Sequence, residues 1–481
     1  MTEPITPQAA MTESEASLAD QLIASPESYV DHSYHAIFSM EAAARERFWL
    51  EAGRRRFAEL RPKIAMLDTL ATKQGVDAIN SLDDLAPLLF KQSVYSSYPL
   101  SWIEKGDYGR MTRWLAKLTA VDLSAVNLAG VELIEEWLNA IEDQTPLTIC
   151  FSAATNGKMI FLPRSKDEWM LYWRGGQWRL EPFGEERRDF RRLQPGVDNV
   201  PIFFPGPKGG YRPFNINLAI YEKVFGEGLV IAPSAYMDAD LMSLAGRIQE
   251  ASKRGEEGML AINPRLLSRK GEIAEIRDRG PAEYAAWTER LIGAHRDQRV
   301  WVLGTMGSVH GLARRLLDEG RRGAFAPDSL VSVGSGFPDG VEPPSWQQEV
   351  YDAFGIPASN MTIDFGMGEM MSVATRCPNR HYHLPPTTIP FVLDGNTDEV
   401  LPRTGSRTGR LAFYDLLAST YWGGFVTGDK VTLGWDDCGC GRKGPYLGNE
   451  IGKFAEDGDK IGCAGSAAAH DEAIEFLLEN N

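Results

Sequence analysis

Beyond Pro213, short apolar runs alternate with helical stretches, and this alternation limits the fold more than any other feature of the chain. Leu229-Val230-Ile231-Ala232, Gly258-Met259-Leu260-Ala261-Ile262 and Val300-Trp301-Val302-Leu303-Gly304 read as strands. ADLMSLAGRIQEASKR and HGLARRLLDEGRR, which fall among them, space their apolar residues for helices. Strand and helix in turn imply an α/β fold with a largely parallel sheet, because a crossover helix returns the chain to the same edge. Upstream, Ser39 to Leu60, Met111 to Leu118 and Val131 to Ile141 read as helices, and Leu147-Thr148-Ile149-Cys150-Phe151 as a buried strand entering a small-residue turn. The segment EERRDFRR has the alternating charge of a solvated face. There is no internal repeat and no low-complexity linker.

Size and charge narrow the function classes. With 481 residues the chain suits about three domains, or one large domain with an appendage. Its 50 Lys and Arg against 66 Asp and Glu leave a net charge of −16, which argues against a nucleic-acid partner, since phosphate-backbone affinity needs clustered cations. No stretch approaches 18 uninterrupted apolar residues, so no membrane span is expected, and the acidic, polar start MTEPITPQAAMTESEASLAD is the reverse of a secretory signal. The cytoplasm is the expected compartment. Residues 1–24 read as a mobile acidic head, 25–452 as the body and 453–481 as an appendage.

Four segments carry chemistry. Ser152-Ala153-Ala154-Thr155-Asn156-Gly157-Lys158 follows a strand; its small residues let backbone N–H groups converge, Thr155 offers a hydroxyl and Lys158 a cation, the parts of a polyphosphate cradle. It is not a usual P-loop, because Ser152 stands at the first glycine position and Met159 at the Ser/Thr position. The plain alternative is a strand-ending turn with a surface lysine. Val331-Ser332-Val333-Gly334-Ser335-Gly336 is a strand opening onto glycines, against which a planar ring can lie. Asp364-Phe365-Gly366-Met367-Gly368-Glu369 ends in a carboxylate able to meet a metal-bound phosphate, and Asp429 in Thr427-Gly428-Asp429 could accept both hydroxyls of a ribose.

In this order the four segments resemble the adenylate-forming superfamily of acyl-CoA synthetases, over roughly residues 80 to 460. The resemblance implies a large adenylate-forming domain with mixed and parallel sheets, plus a C-terminal lid. It gives Ser152, Thr155, Gly157 and Lys158 to the phosphates, Gly334, Ser335, Gly336, Phe365 and Gly366 to the adenine and acyl edge, Glu369 to Mg²⁺ and Asp429 to the ribose of ATP. The phosphate loop departs from the family's Ser/Thr-Ser-Gly-Thr-Thr-Gly-x-Pro-Lys, and Gly368 replaces the threonine before the glutamate.

The five cysteines are too few for a disulfide scaffold, but three of them cluster. Cys377-Pro-Asn-Arg-His381-Tyr-His383 follows Glu369, and Cys438-Gly-Cys440-Gly-Arg442 follows Asp429. Three thiolates and one imidazole make a closed tetrahedral site, and soft sulfur donors favour zinc over magnesium or calcium. The same pattern resembles phenylacetate–CoA ligases and the acyl-protein synthetases of bacterial luminescence. That resemblance selects His383 over His381 and places Arg442 near the nucleotide.

The family pattern thins at the C-terminus. Only 52 residues follow Asp429, where the family has a longer lid bearing a catalytic lysine. Gly452-Lys453-Phe454-Ala455-Glu456-Asp457-Gly458-Asp459-Lys460 reads as a reduced hinge, which makes Lys453 and Lys460 the candidate lysines, and His470 to Leu478 reads as a closing helix. Cys463, between a lysine and that helix, is a candidate acyl acceptor, since a thiolate in such surroundings has a depressed pKa; a small buried residue is the alternative. The expected activity is ATP-dependent activation of a carboxylic acid as an acyl adenylate, with transfer to CoA, a carrier-protein thiol or an amine. Its rivals are an aryl- or acyl-CoA ligase and a nucleotide-binding zinc protein without turnover. Ser308 and His310 lack the Gly-x-Ser-x-Gly spacing of a hydrolase elbow. A homo-oligomer stays open.

Overall fold

A computed structural model describes residues 13–153, 157–181, 183, 191–233, 238–255, 260–337, 341–454 and 473–478. Among them, five parallel strands lie side by side in the order Val230–Ile231, Ile202–Phe203, Trp301–Thr305, Leu330–Gly334 and Met361–Phe365. The sheet then turns antiparallel through Ala374–Arg376, Tyr382–His383, Tyr446–Leu447, Gly424–Gly434, Ser406–Asp415 and Thr388–Leu393. Phe90–Lys91 and Gly452–Lys453 also pair with the long strand Gly424–Gly434. The sheet is therefore mixed, and its parallel half is the region where the sequence alternates.

Side chains alternate across that half with the period of two that a pleat imposes. Val302, Val331, Val333 and Ile363 enter the main core, which the helix Met306–Asp318 covers with Val309, Leu312 and Leu316. Trp301, Leu303 and Leu330 enter a second core, covered by the helix Pro213–Phe225 through Leu218 and Tyr221. Burial on both faces explains why these strands read as nearly continuous apolar runs.

Two features depart from expectation. Leu260 to Ile262 form no strand; they lead into the helix Pro264–Ser268, whose first position is a proline that suits a helix start. The acidic head is in part the helix Glu13–Ala24, whose Ala19 and Leu22 are fully buried and which packs on the helix Ala42–Leu60. The apolar residues of SLADQLIA recur at helical spacing, which is what lets it dock. At the other end, residues 473–478 form a helix whose Ala473, Ile474 and Leu477 are buried against Leu241, Leu244, Ala245 and Ile248 of the helix Ala239–Arg254.

The helices Ala239–Arg254 and Ile134–Gln144 cap each other. Asp240 accepts the N–H groups of Ile134 (2.9 Å) and Glu135 (3.2 Å), and Glu135 accepts that of Ala239 (3.1 Å). Each carboxylate satisfies donors that a helix start leaves without an intrahelical partner.

Candidate nucleotide and metal sites

Leu147–Ala153 and Met159–Ser165 pair as an antiparallel hairpin, with Phe151 opposite Phe161. Its tip is the small-residue turn; Thr155 lies outside the described residues. Gly157 has φ +72°, and a Cβ there would stand 3.0 Å from the Gly246 carbonyl oxygen, so only glycine suits both the turn and the helix behind it. The C-terminal helix, the helix Ala239–Arg254 and the turn are thus stacked in contact. Lys158 donates from Nζ to the Tyr98 carbonyl oxygen at 2.9 Å. Ser152 is half-buried, and a Cβ on Gly368 would sit 3.7 Å from its Cβ, which puts the hairpin against the turn leading to Glu369.

Glu369 is 3% exposed, and its Oε1 accepts a hydrogen bond from Gln92 Nε2 at 2.7 Å. Burial raises its pKa, with the Asp429 charge adding to the rise and Gln92 and Arg164 opposing it. Asp429 is 7% exposed, its N–H donates to Thr427 Oγ1, and its Oδ1 meets Lys453 Nζ at 2.5 Å. Lys453 sits opposite Asp429 in the strand pairing, so the hinge residue reaches the ribose candidate and forms an ion pair with it. Lys460 and Cys463 lie outside the described residues. Gly334 ends its strand beside Asp364, whose carbonyl oxygen would be 3.4 Å from a Cβ there; Ser335 follows at φ +50° and Gly336 completes the turn. Phe365 and Gly366 continue the neighbouring strand, and Gly366 lies under Val373. The glycine turn and the Phe-Gly segment are therefore adjacent at the carboxyl ends of parallel strands, where α/β sheets bind ligands.

Two residues at this site had not been singled out. Gln92 holds the Glu369 carboxylate. Arg164, fully buried on the return strand of the hairpin, donates to the carbonyl oxygens of Gly368 and Met370, both at 2.7 Å. An arginine after the apolar run Met-Ile-Phe-Leu-Pro was the available signal, since an unshielded buried cation is costly.

At the metal candidate, the antiparallel strands Ala374–Arg376 and Tyr382–His383 bring up Cys377 and His383, and the loop between Gly424–Gly434 and Tyr446–Leu447 brings Cys438 and Cys440. One donor atom from each of the four lies within 4.8 Å of the others. Cys377 Sγ is 3.7 Å from Cys438 Sγ, and Cys440 Sγ is 3.3 Å from His383 Nε2. Hydrogen bonding with Cys440, together with His383, pulls the Cys377 thiol down to about 3, while the same sharing pushes Cys440 up. His383 is buried, with its pKa lowered by burial, so its neutral, ligating form is favoured. His381 belongs to the outer layer: its Nδ1 is 3.1 Å from Cys438 Sγ and its ring stacks on Tyr446 at 4.3 Å. Arg442 is buried on the inner side, donating to the Thr375 carbonyl oxygen at 3.1 Å, with Tyr34 and Phe183 over its guanidinium. The bond to Thr375 ties it to the strand that leads to Cys377.

Thr305 caps the helix Met306–Asp318, its hydroxyl accepting the Ser308 N–H, and His310 pairs with Glu349 at 2.6 Å. No helix among the described residues is long and apolar enough to cross a membrane.

No family model and no curated protein matches the sequence. The chain superposes on an open conformation of 2-hydroxyisobutyryl-CoA ligase in complex with 2-HIB-AMP and CoA, with a TM-score of 0.53 over 89% of this chain and 79% of that one, at 12% identity. The chain has the adenylate-forming fold. The same ligase in its thioesterification state matches at TM-score 0.49, 13% identity, 92% of this chain and 86% of that one. A long-chain-fatty-acid-CoA ligase from Archaeoglobus fulgidus matches at TM-score 0.35, 10% identity, 67% of this chain and 56% of that one. In the adenylate-forming fold of this chain, the hairpin tip, the glycine turn, Glu369 and Asp429 are the four segments that the sequence had singled out.

Proposed function

We propose that this chain activates a carboxylic acid with ATP, releasing pyrophosphate, and passes the acyl group to a thiol in the manner of an acyl-protein synthetase. The observation that supports this best is the buried carboxylate of Glu369, on backbone that Arg164 holds from the strand returning from the phosphate turn, together with a second buried carboxylate at Asp429.

Glu369 fits a divalent cation. It is a buried carboxylate whose pKa is already raised by desolvation, so a cation there would offset an existing cost. Magnesium, when bound with ATP, would supply charge neutralisation of the phosphates. This chain's residues would do the positioning: the hairpin turn and Lys158 cradle the phosphates, Asp429 takes the ribose, and the Gly334–Gly336 turn and Phe365 flank the adenine. One oxygen of the substrate carboxylate attacks the α-phosphorus, and the bond to the pyrophosphate oxygen breaks. A thiolate then attacks the acyl carbon, AMP leaves, and the thiol proton passes to solvent. Much of the catalysis of such a transfer is placement and charge stabilisation. Lys453, from its place on Asp429, would bring a cation to the ribose edge.

The Cys377, His383, Cys438 and Cys440 set fits zinc by donor type and by proximity. Its role would be structural, joining the strand pair after Glu369 to the loop after Asp429.

The test is acid-dependent pyrophosphate release with hydroxylamine trapping, run over aliphatic and aromatic acids, with and without CoA. Release and hydroxamate without CoA support the proposal; turnover that requires CoA makes the chain a CoA ligase; no release with any acid contradicts both.

A further inference from the structure

We propose that Arg164 is the positioning residue for Glu369 and transmits the placement of the phosphate turn to it. The inference rests on the reading of Glu369 as the residue that holds the divalent cation.

Arg164 Nη2 donates to the carbonyl oxygens on either side of Glu369, those of Gly368 and Met370. Its Nε donates to Tyr421 Oη at 3.1 Å, and that hydroxyl approaches the Glu369 carbonyl oxygen at 3.5 Å. The backbone at 368, 369 and 370 is therefore held from one direction, while Gln92 holds the carboxylate. The guanidinium is enclosed by the rings of Trp169 (4.8 Å), Tyr172 (5.7 Å) and Tyr421 (5.7 Å), which stabilise a cation without neutralising it. A planar fork with several donors suits two carbonyl oxygens in a way that a single ammonium does not.

Sequence position gives this arrangement its consequence. Arg164 lies six residues after Lys158, on the strand Met159–Ser165 that leaves the phosphate turn and is fully buried along its length. The next residues fasten the same strand to a third segment, since Glu168 accepts the N–H groups of Ser419 (2.6 Å) and Thr420 (2.9 Å). One buried strand thus runs from Lys158 to the arginine that holds the backbone of the candidate metal ligand. Arg164 itself makes no contact with substrate in this account; it acts through Glu369.

The test reads cation affinity directly, by the electron paramagnetic resonance signal of Mn²⁺ titrated into the full chain with ATP. Arg164→Lys is expected to weaken Mn²⁺·ATP binding by about tenfold, the size typical of lost support behind a metal ligand. In a Glu369→Gln background the same substitution should cost nothing further, because its effect runs through the missing carboxylate. Tyr421→Phe, which keeps the ring and removes the hydroxyl, should give a smaller loss in the same direction and serves where Arg164→Lys does not fold. Unchanged Mn²⁺ affinity in both variants, or equal loss in both backgrounds, would overturn the proposal while leaving the activity reading standing. If the parent chain binds no Mn²⁺ with ATP, the reading of Glu369 fails and takes the role of Arg164 with it.

Discussion

The metal corner and the phosphate corner are built on opposite plans. At the first, three thiols and one imidazole converge within 4.8 Å, and the backbone serves to bring them there. At the second, the hairpin turn is the candidate binding surface for the phosphates, and Arg164 and Gln92 hold the neighbouring Glu369 by its backbone and by its carboxylate. A side-chain site survives drift in the surrounding sequence as long as its donors remain. A backbone site depends on buttresses whose identity its own motif does not specify.

The largest effect should come from unmaking the metal corner. Chelation, or Cys440→Ser, should release about one equivalent of zinc and lower the thermal midpoint by roughly 10 °C or more. Elemental analysis and calorimetry check this together, and a chain purified without metal and equally stable would break the comparison. At the phosphate corner, Glu369→Gln should reduce pyrophosphate release by about 10²–10³-fold without lowering the thermal midpoint, because the amide keeps a neutral contact with Gln92 and removes a buried charge.

Smaller effects sharpen the notion of buttressing. Leu477→Ala, in the docked C-terminal helix, should cost about 2–4 kcal/mol by urea denaturation and also raise the KM for ATP, since that helix backs the one that abuts Gly157. A stability loss with unchanged KM would separate the helix from the turn. The smallest effect is one of pH. Burial, with the nearby Asp238 charge, raises Asp240 from 3.8 to about 7. A carboxyl with a raised folded value contributes stability that is present below its unfolded pKa and is lost as pH rises through the folded one. Urea midpoints should therefore fall between pH 4 and pH 7 for this group, and Asp240→Asn should flatten that fall, with a net gain of about 1 kcal/mol at pH 7.5 after allowance for the weaker cap.

The two plans also explain what could be read from the sequence. Cys438-Gly-Cys440 and Cys377 declare their chemistry by residue type, and the later histidine was chosen by resemblance; the structure gathers these four and leaves His381 one layer out. The alternation from Val300 to Gly336 was legible because strands buried on both faces must be apolar throughout. Leu260 to Ile262 carry the same apolar signal without a neighbouring strand to pair with, and period alone does not show whether a partner exists. Gln92 and Gly246 were not legible, since their roles arise from contacts across long sequence separations, whereas Arg164 left a trace as a cation closing an apolar strand. Arg442, beside the cysteine motif, is buried against Thr375 and Tyr34, contacts that its position in the sequence does not announce.

The most direct measurement is ATP–pyrophosphate exchange as a function of added carboxylic acid, compared in the parent chain, Asp429→Ala and Glu369→Gln. Acid-dependent exchange in the parent that collapses in both variants is the predicted result. Absence of exchange with every acid, or exchange that both variants retain, would contradict the assignment of this site to acyl-adenylate formation.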